Sequence, residues 1–238
     1  MQTTWIKRSP SADKAQGIIV FAAGWAGSDE LVRHMTLPEG YDFVCLYDYR
    51  TLPDTAEREK LETVLAAYKA RYLTAWSFGV WVAEQLFEES PLTWQRAVAI
   101  GGTPQPIDDR YGIPTRAFAV TVRSIAGTGI VKFLERMCGT PEILREYYRH
   151  RSTRPLTEIY DELLALQRMA GETTLSRSPT APLWTEAVVG ERDAIFPPKN
   201  MKRYWSEAGV PLTPYAEMPH YPLYQTDLLT RLTADEAR

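Results

Sequence analysis

Cysteine, histidine and net positive charge are all scarce in this chain, and each scarcity removes a class of function. Only two cysteines occur among 238 residues, Cys45 in an apolar run and Cys138 in a helical stretch, with no CxxC spacing. Neither a disulfide framework nor a cysteine-based metal site follows from such a pair, so both are expected to be reduced and structural. The formal net charge is −3, whereas a nucleic-acid binder needs a basic surface that displaces counterions; no nucleic-acid partner is expected. The apolar run Ile18 to Ala23 is far too short to span a bilayer, and Met1-Gln-Thr-Thr-Trp-Ile-Lys-Arg lacks the apolar core of a signal peptide. The expectation is a cytoplasmic protein with no membrane partner. No phosphate loop of GxxxxGK[ST] form, internal repeat or low-complexity tract is found.

What is present suits one substantial core: 45% of residues are hydrophobic and 24% charged. Short β-rich runs alternate with amphipathic helices, the signature of a mostly parallel central sheet with helices on both faces. Strands are expected at Thr4 to Arg8, Gly17 to Ala23, Phe43 to Tyr47, Tyr72 to Trp76, Ala97 to Gly101, Leu183 to Val189 and Thr213 to Met218. Helices are expected at Ala56 to Lys69, Val80 to Glu89, Pro198 to Ala208 and Pro222 to Leu232. Between Gly102 and Pro179 the strand pattern lapses into four helical stretches, Thr115 to Ile125, Ile130 to Met137, Pro141 to His150 and Leu156 to Ala170. The last carries an apolar stripe of Leu156, Ile159, Leu163, Leu164, Gln167 and Ala170. One domain over 1–238 is expected, with a helical lid inserted at about 102–179.

Arg71-Tyr-Leu-Thr-Ala-Trp-Ser77-Phe-Gly79-Val-Trp runs from a buried strand straight into a helix. A serine on such a strand-to-helix turn exposes its oxygen and sets the following backbone N–H toward a developing oxyanion, as in the nucleophile elbow of α/β-hydrolases. The usual first glycine of G-x-S-x-G is here Ala75, the smallest side chain that replaces it. A serine hydroxyl needs a base, and the base needs an acid to fix its tautomer. Of only three histidines, His34 follows an early loop and His150 lies in the lid; His220 alone follows a C-terminal strand. Asp193 sits in Gly190-Glu-Arg-Asp193 directly after another strand. The order Ser77, Asp193, His220, each after a strand, is that of the α/β-hydrolase triad. Backbone amides of Phe78 and of Trp25, in the loop Gly24-Trp25-Ala-Gly27, are expected to form the oxyanion hole. Asp48, in Tyr47-Asp48-Tyr49-Arg50, lies on the wrong strand for the triad, and pairing with Arg50 or capping a loop is the favoured role.

Gly24-Trp25-Ala-Gly27, Tyr47-Asp48-Tyr49-Arg50, Trp76-Ser77-Phe78-Gly79-Val80-Trp81, Gly101-Gly-Thr-Pro-Gln-Pro-Ile and Arg136-Met-Cys138-Gly resemble the BioG family of pimeloyl-acyl-carrier-protein methyl ester esterases over essentially the whole chain. Many hydrolases have histidine before the glycine of the oxyanion loop; this chain has Ala23. The resemblance implies an α/β-hydrolase fold and cleavage of the methyl ester at the far end of a carrier-bound pimeloyl chain, in biotin precursor synthesis, with no metal or cofactor. It also implies an acidic partner, the acyl carrier protein. From Arg123 to Arg154 there are seven basic and three acidic residues, a local net of +4 able to steer such a partner. Lys132, Arg136, Arg145 and Arg149 are the candidate contacts. The rival readings are a thioesterase or broad short-chain carboxylesterase on the same triad, and a non-catalytic hydrolase-fold binding module.

Overall fold

Among the described residues seven strands pair into one sheet: β1 (Gln2–Lys7), β2 (Gly17–Ala22), β3 (Tyr41–Tyr47), β4 (Arg71–Trp76), β5 (Arg96–Ile100), β6 (Glu186–Gly190) and β7 (Leu212–Tyr215). In this computed structural model, which describes residues 1–173 and 182–233, their spatial order is β1-β3-β2-β4-β5-β6-β7. Only β1 runs antiparallel to its neighbour; every other pairing is parallel. All six residues of β2 are buried, as expected of a central parallel strand covered on both faces, which reads as a continuous apolar run. Pro214 lacks a ladder donor and is tolerated in β7 because that strand is an edge.

Helices α1 (Thr55–Ala66), α2 (Phe78–Phe87), α7 (Pro198–Glu207) and α8 (Leu228–Thr233) accompany the sheet. Nine of the ten residues of α2 are buried, Glu84 among them, so the helix is enclosed on nearly every side. Between β5 and β6 come α3 (Thr115–Thr128), α4 (Val131–Cys138), α5 (Pro141–His150) and α6 (Leu156–Thr173), the four helical stretches expected of the insertion. Its expected end near Pro179 lies outside the described residues. Among the described residues no helix is long and apolar enough to cross a membrane.

Two readings from periodicity need correction. The buried residues of α6 include Ile159, Glu162, Leu163, Ala165, Leu166 and Ala170, whereas Leu156, Leu164 and Gln167 of the expected stripe are exposed. The true face follows a 3.6-residue period and includes a charged residue that apolar counting passes over. The last helix begins at Leu228 and not at Pro222, because two successive turns, Gln225 N–H to Pro222 O and Leu228 N–H to Gln225 O, precede it.

Candidate active site

Ser77 stands between β4 and α2 with φ 58° and ψ −127°, a left-handed conformation that a non-glycine residue adopts only when its surroundings over-determine it. Gly79 supplies part of that constraint. A Cβ there would stand 2.2 Å from Ala22 O, so only glycine lets the start of α2 press against the end of β2. On the other side Gly24 packs so closely that its added Cβ would meet Ser77 Cβ at 3.1 Å. The loop after β2 therefore passes directly beside the hydroxyl.

His220 Nε2 lies 2.9 Å from Ser77 Oγ, and His220 Nδ1 lies 2.7 Å from Asp193 Oδ2. All three residues are buried. Asp193 Oδ1 accepts from the backbone N–H groups of Ile195 (2.8 Å) and Phe196 (2.7 Å), leaving Oδ2 for the imidazole. With Asp193 ionised, His220 carries its proton on Nδ1 and offers a lone pair on Nε2 to the serine hydroxyl. The three side chains come from the ends of β4, β6 and β7, the carboxyl edge where open α/β sheets bind ligands.

Phe78 is the first residue of α2, and the first N–H groups of a helix have no intrahelical acceptor. The Trp25 side chain is buried; its indole N–H donates to Ile159 O of α6 at 2.8 Å, and its ring meets Phe133 of α4 edge-on at 4.9 Å. The residue expected to contribute only a backbone amide is thus also a tie between the glycine-rich loop and the inserted helices.

A narrow cleft, partly open to solvent, runs from Ser77 and His220 under the inserted helices. Its walls are largely apolar, with Ile113, Phe118, Phe133, Met137 and Leu163 among them, and Arg136 also lines it. Arg136 and Lys132 are exposed and form no ion pair among the described residues. Arg145 and Arg149, also exposed, pair with Glu142 (3.0 Å) and Glu146 (2.6 Å) one turn earlier on α5. Arg154 does not belong to this basic surface. Its side chain is only 10% exposed and donates to Asp48 at 2.9 Å, to Glu162 at 2.8 Å and to Gly27 O at 3.1 Å. Asp48 pairs with Arg50 through two bonds, 2.8 and 2.7 Å, the first of the two roles favoured from sequence.

His34 and His150 lie apart from Ser77, Asp193 and His220, stacked on each other with ring centroids 3.7 Å apart and planes 12° from parallel. His34 Nε2 is 3.0 Å from Leu223 O, and His150 Nε2 is 3.1 Å from Glu146. Cys45 and Cys138 are unpaired and buried; burial pushes the Cys138 thiol up to about 12. Sequence reasoning overlooked Glu162 entirely. Its one signal is position, three residues after Ile159 and four before Leu166, on the buried face of α6.

Comparison with known proteins adds independent findings. Residues 1–220 match the family model described as Pimeloyl-ACP methyl esterase BioG. A malonyl-[acyl-carrier protein] O-methyltransferase of Bacteroides fragilis is 37% identical over 189 residues, which are 79% of this chain and 36% of that protein. The chain thus spans little more than a third of that relative. The crystal structure of BioG from Haemophilus influenzae superposes with a TM-score of 0.80 at 30% identity, covering 98% of this chain and 99% of the other. An esterase from Exiguobacterium antarcticum superposes with a TM-score of 0.72 at 15% identity over 98% and 95% of the two chains, a likeness of fold alone. The fold is that of the α/β-hydrolases.

Proposed function

This chain belongs to the BioG family of pimeloyl-ACP methyl esterases, and on that premise we propose that it is a serine esterase removing the methyl group from carrier-bound methyl pimelate. The observation that carries this reading is the connected array Ser77–His220–Asp193 opening onto an apolar cleft. Ser77 Oγ attacks the ester carbonyl as His220 Nε2 takes its proton. The tetrahedral oxyanion is met by the N–H groups of Trp25 and Phe78, donors of a kind whose loss costs about a hundredfold to a thousandfold in rate. Collapse expels methanol, protonated by His220, and leaves an acyl group on Ser77. Water, deprotonated by His220, then releases the free carboxylate and restores the serine. Asp193 holds the imidazole in its tautomer and stabilises the transient imidazolium.

The cleft also accounts for direction. A methyl ester is neutral and enters apolar surroundings readily, whereas the product carboxylate is penalised there and favours departure toward water. In this reading the acyl chain threads the cleft with its ester at Ser77, while its thioester end remains with the acyl carrier protein outside. Exposed Lys132, Arg136, Arg145 and Arg149 supply the complementary charge for that partner. The surface pairs of Arg145 and Arg149 are no obstacle, since exposed ion pairs contribute only about 0–1 kcal/mol. The setting is cytoplasmic, where the carrier protein and the two free thiols are both at home.

Mass spectrometry of methyl pimeloyl-carrier protein after incubation with the enzyme tests the proposal. Loss of the methyl group with the thioester intact is expected. Release of unacylated carrier protein would establish a thioesterase instead, and an unchanged substrate would favour a non-catalytic module.

A further inference from the structure

We propose that Glu162 is a positioning residue that fixes the oxyanion loop from the inserted helix α6, a role that rests on the reading of Trp25 N–H as an oxyanion donor. Glu162 is fully buried, and a carboxylate out of water is tolerated only when its oxygens are satisfied. Here they are satisfied by one donor from the loop and by two groups beside it. Oε2 accepts from Ala26 N–H at 3.3 Å and from Arg154 Nη1 at 2.8 Å, and Oε1 accepts from Tyr49 N–H at 2.8 Å.

The consequence for Trp25 is geometric. Ala26 N–H belongs to the peptide unit that follows Trp25, so anchoring it fixes the backbone on the C-terminal side of the proposed donor residue. Ala26 itself has φ 64°, and a non-glycine residue holds that conformation only under external constraint. Arg154 holds the next stretch through Gly27 O, and Ile159 O, one turn before Glu162 on α6, holds the Trp25 indole. Three consecutive residues, Trp25 to Gly27, are therefore gripped by α6 and by the arginine just before it. Tyr49 N–H and Asp48, which has φ 56°, join the same cluster at the end of β3. Burial pushes the Glu162 carboxyl up, while Arg154 and the Tyr49 N–H pull it down.

A buried ion cluster is a weak source of stability compared with well-packed apolar side chains. What it supplies is orientation, and the oriented group is the loop whose amide must lie within hydrogen-bond reach of the oxyanion and not of the ground-state carbonyl. Glu162 therefore affects the transition state more than ground-state binding.

The test is Glu162→Gln, which keeps the side-chain size but replaces one acceptor oxygen with an NH2 facing N–H donors. On a p-nitrophenyl ester, kcat should fall about 10–100-fold with KM within about threefold, since small misplacements at a reacting centre are of this order. Affinity for a trifluoromethyl ketone, which adds the serine oxygen to form a tetrahedral oxyanion, should fall by the same factor. Affinity for the matching methyl ketone should not change. Arg154→Lys, which keeps a cation beside Glu162 but loses the fork to Asp48 and Gly27 O, should show the same pattern at about 3–10-fold. A Glu162→Gln protein that melts lower yet keeps kcat and its preference for the trifluoromethyl ketone overturns the proposal, as does equal loss of affinity for both ketones. If that variant does not fold, Arg154→Lys decides, and wild-type kcat with wild-type ketone preference there overturns it. A wild-type enzyme with no preference between the ketones would instead sink the reading of Ser77 and its oxyanion hole.

Discussion

Trp76, the residue immediately before Ser77, donates its indole N–H to the carbonyl of His220 at 2.7 Å across 144 positions of sequence. The elbow and the histidine loop are thus tied together by a bond that does not involve the serine hydroxyl. Their alignment should therefore survive removal of that hydroxyl, which would separate catalytic loss from structural loss.

Ser77→Ala should accordingly abolish turnover of a p-nitrophenyl ester while retaining a cooperative thermal melt. His220→Ala and Asp193→Asn should each cripple turnover, whereas His34→Ala and His150→Ala should not. Triad residues act as a unit, so Ser77→Ala/His220→Ala should be scarcely slower than Ser77→Ala alone. Ser77→Gly should melt above Ser77→Ala, by about 1 kcal/mol, because glycine relieves the left-handed strain at φ 58°. Activity of Ser77→Ala within tenfold of wild type, or additive losses in the double variant, would remove Ser77 from the nucleophile role.

Charge reversal at Lys132, Arg145 and Arg149 should raise KM for methyl pimeloyl-carrier protein and leave small-ester turnover nearly constant, whereas reversal at Arg136, which lines the cleft, should touch both substrates. The defect should shrink as salt screens the wild-type advantage. Arg136 and Lys132, unpaired among the described residues, should contribute more per residue than Arg145 and Arg149, which already neutralise glutamates on α5. Steady-state kinetics on both substrates across a salt series decides this; equal losses on both would assign the charges to folding or to the cleft.

The stacked histidines should leave a mark on stability near neutral pH. Burial, with the His150 ring adding to it, holds His34 below its ordinary value of 6.5, against the opposing Leu223 carbonyl and Glu146. The unfolded chain therefore takes up a proton that the folded chain refuses, and stability falls as pH drops through 6.5, levelling only below the folded value. Thermal melts from pH 8 to pH 5 should show wild type losing more stability than His34→Gln across that window. A flat difference between the two would contradict the assignment.

The alternation of strands and helices, the four helical stretches between β5 and β6 and the placement of Ser77, Asp193 and His220 just past strands were all legible in the sequence. They rest on local information: apolar periodicity marks each element, and a polar residue just past a buried strand marks a sheet edge. The same local rule misread α6, where apolar counting favoured Leu156 and Leu164 and passed over Glu162. It also placed Arg154 on the basic surface. Glu162 is buried and Arg154 largely withdrawn from solvent because of groups far away in sequence, Ala26 N–H 136 positions from Glu162 and Asp48 106 positions from Arg154. Whether a charged side chain goes inside depends on the donors and acceptors awaiting it there, and only the folded chain brings those together. Periodicity determined the sheet and the order of the site's residues; long-range hydrogen bonding decided how the glycine-rich loop is held beside Ser77.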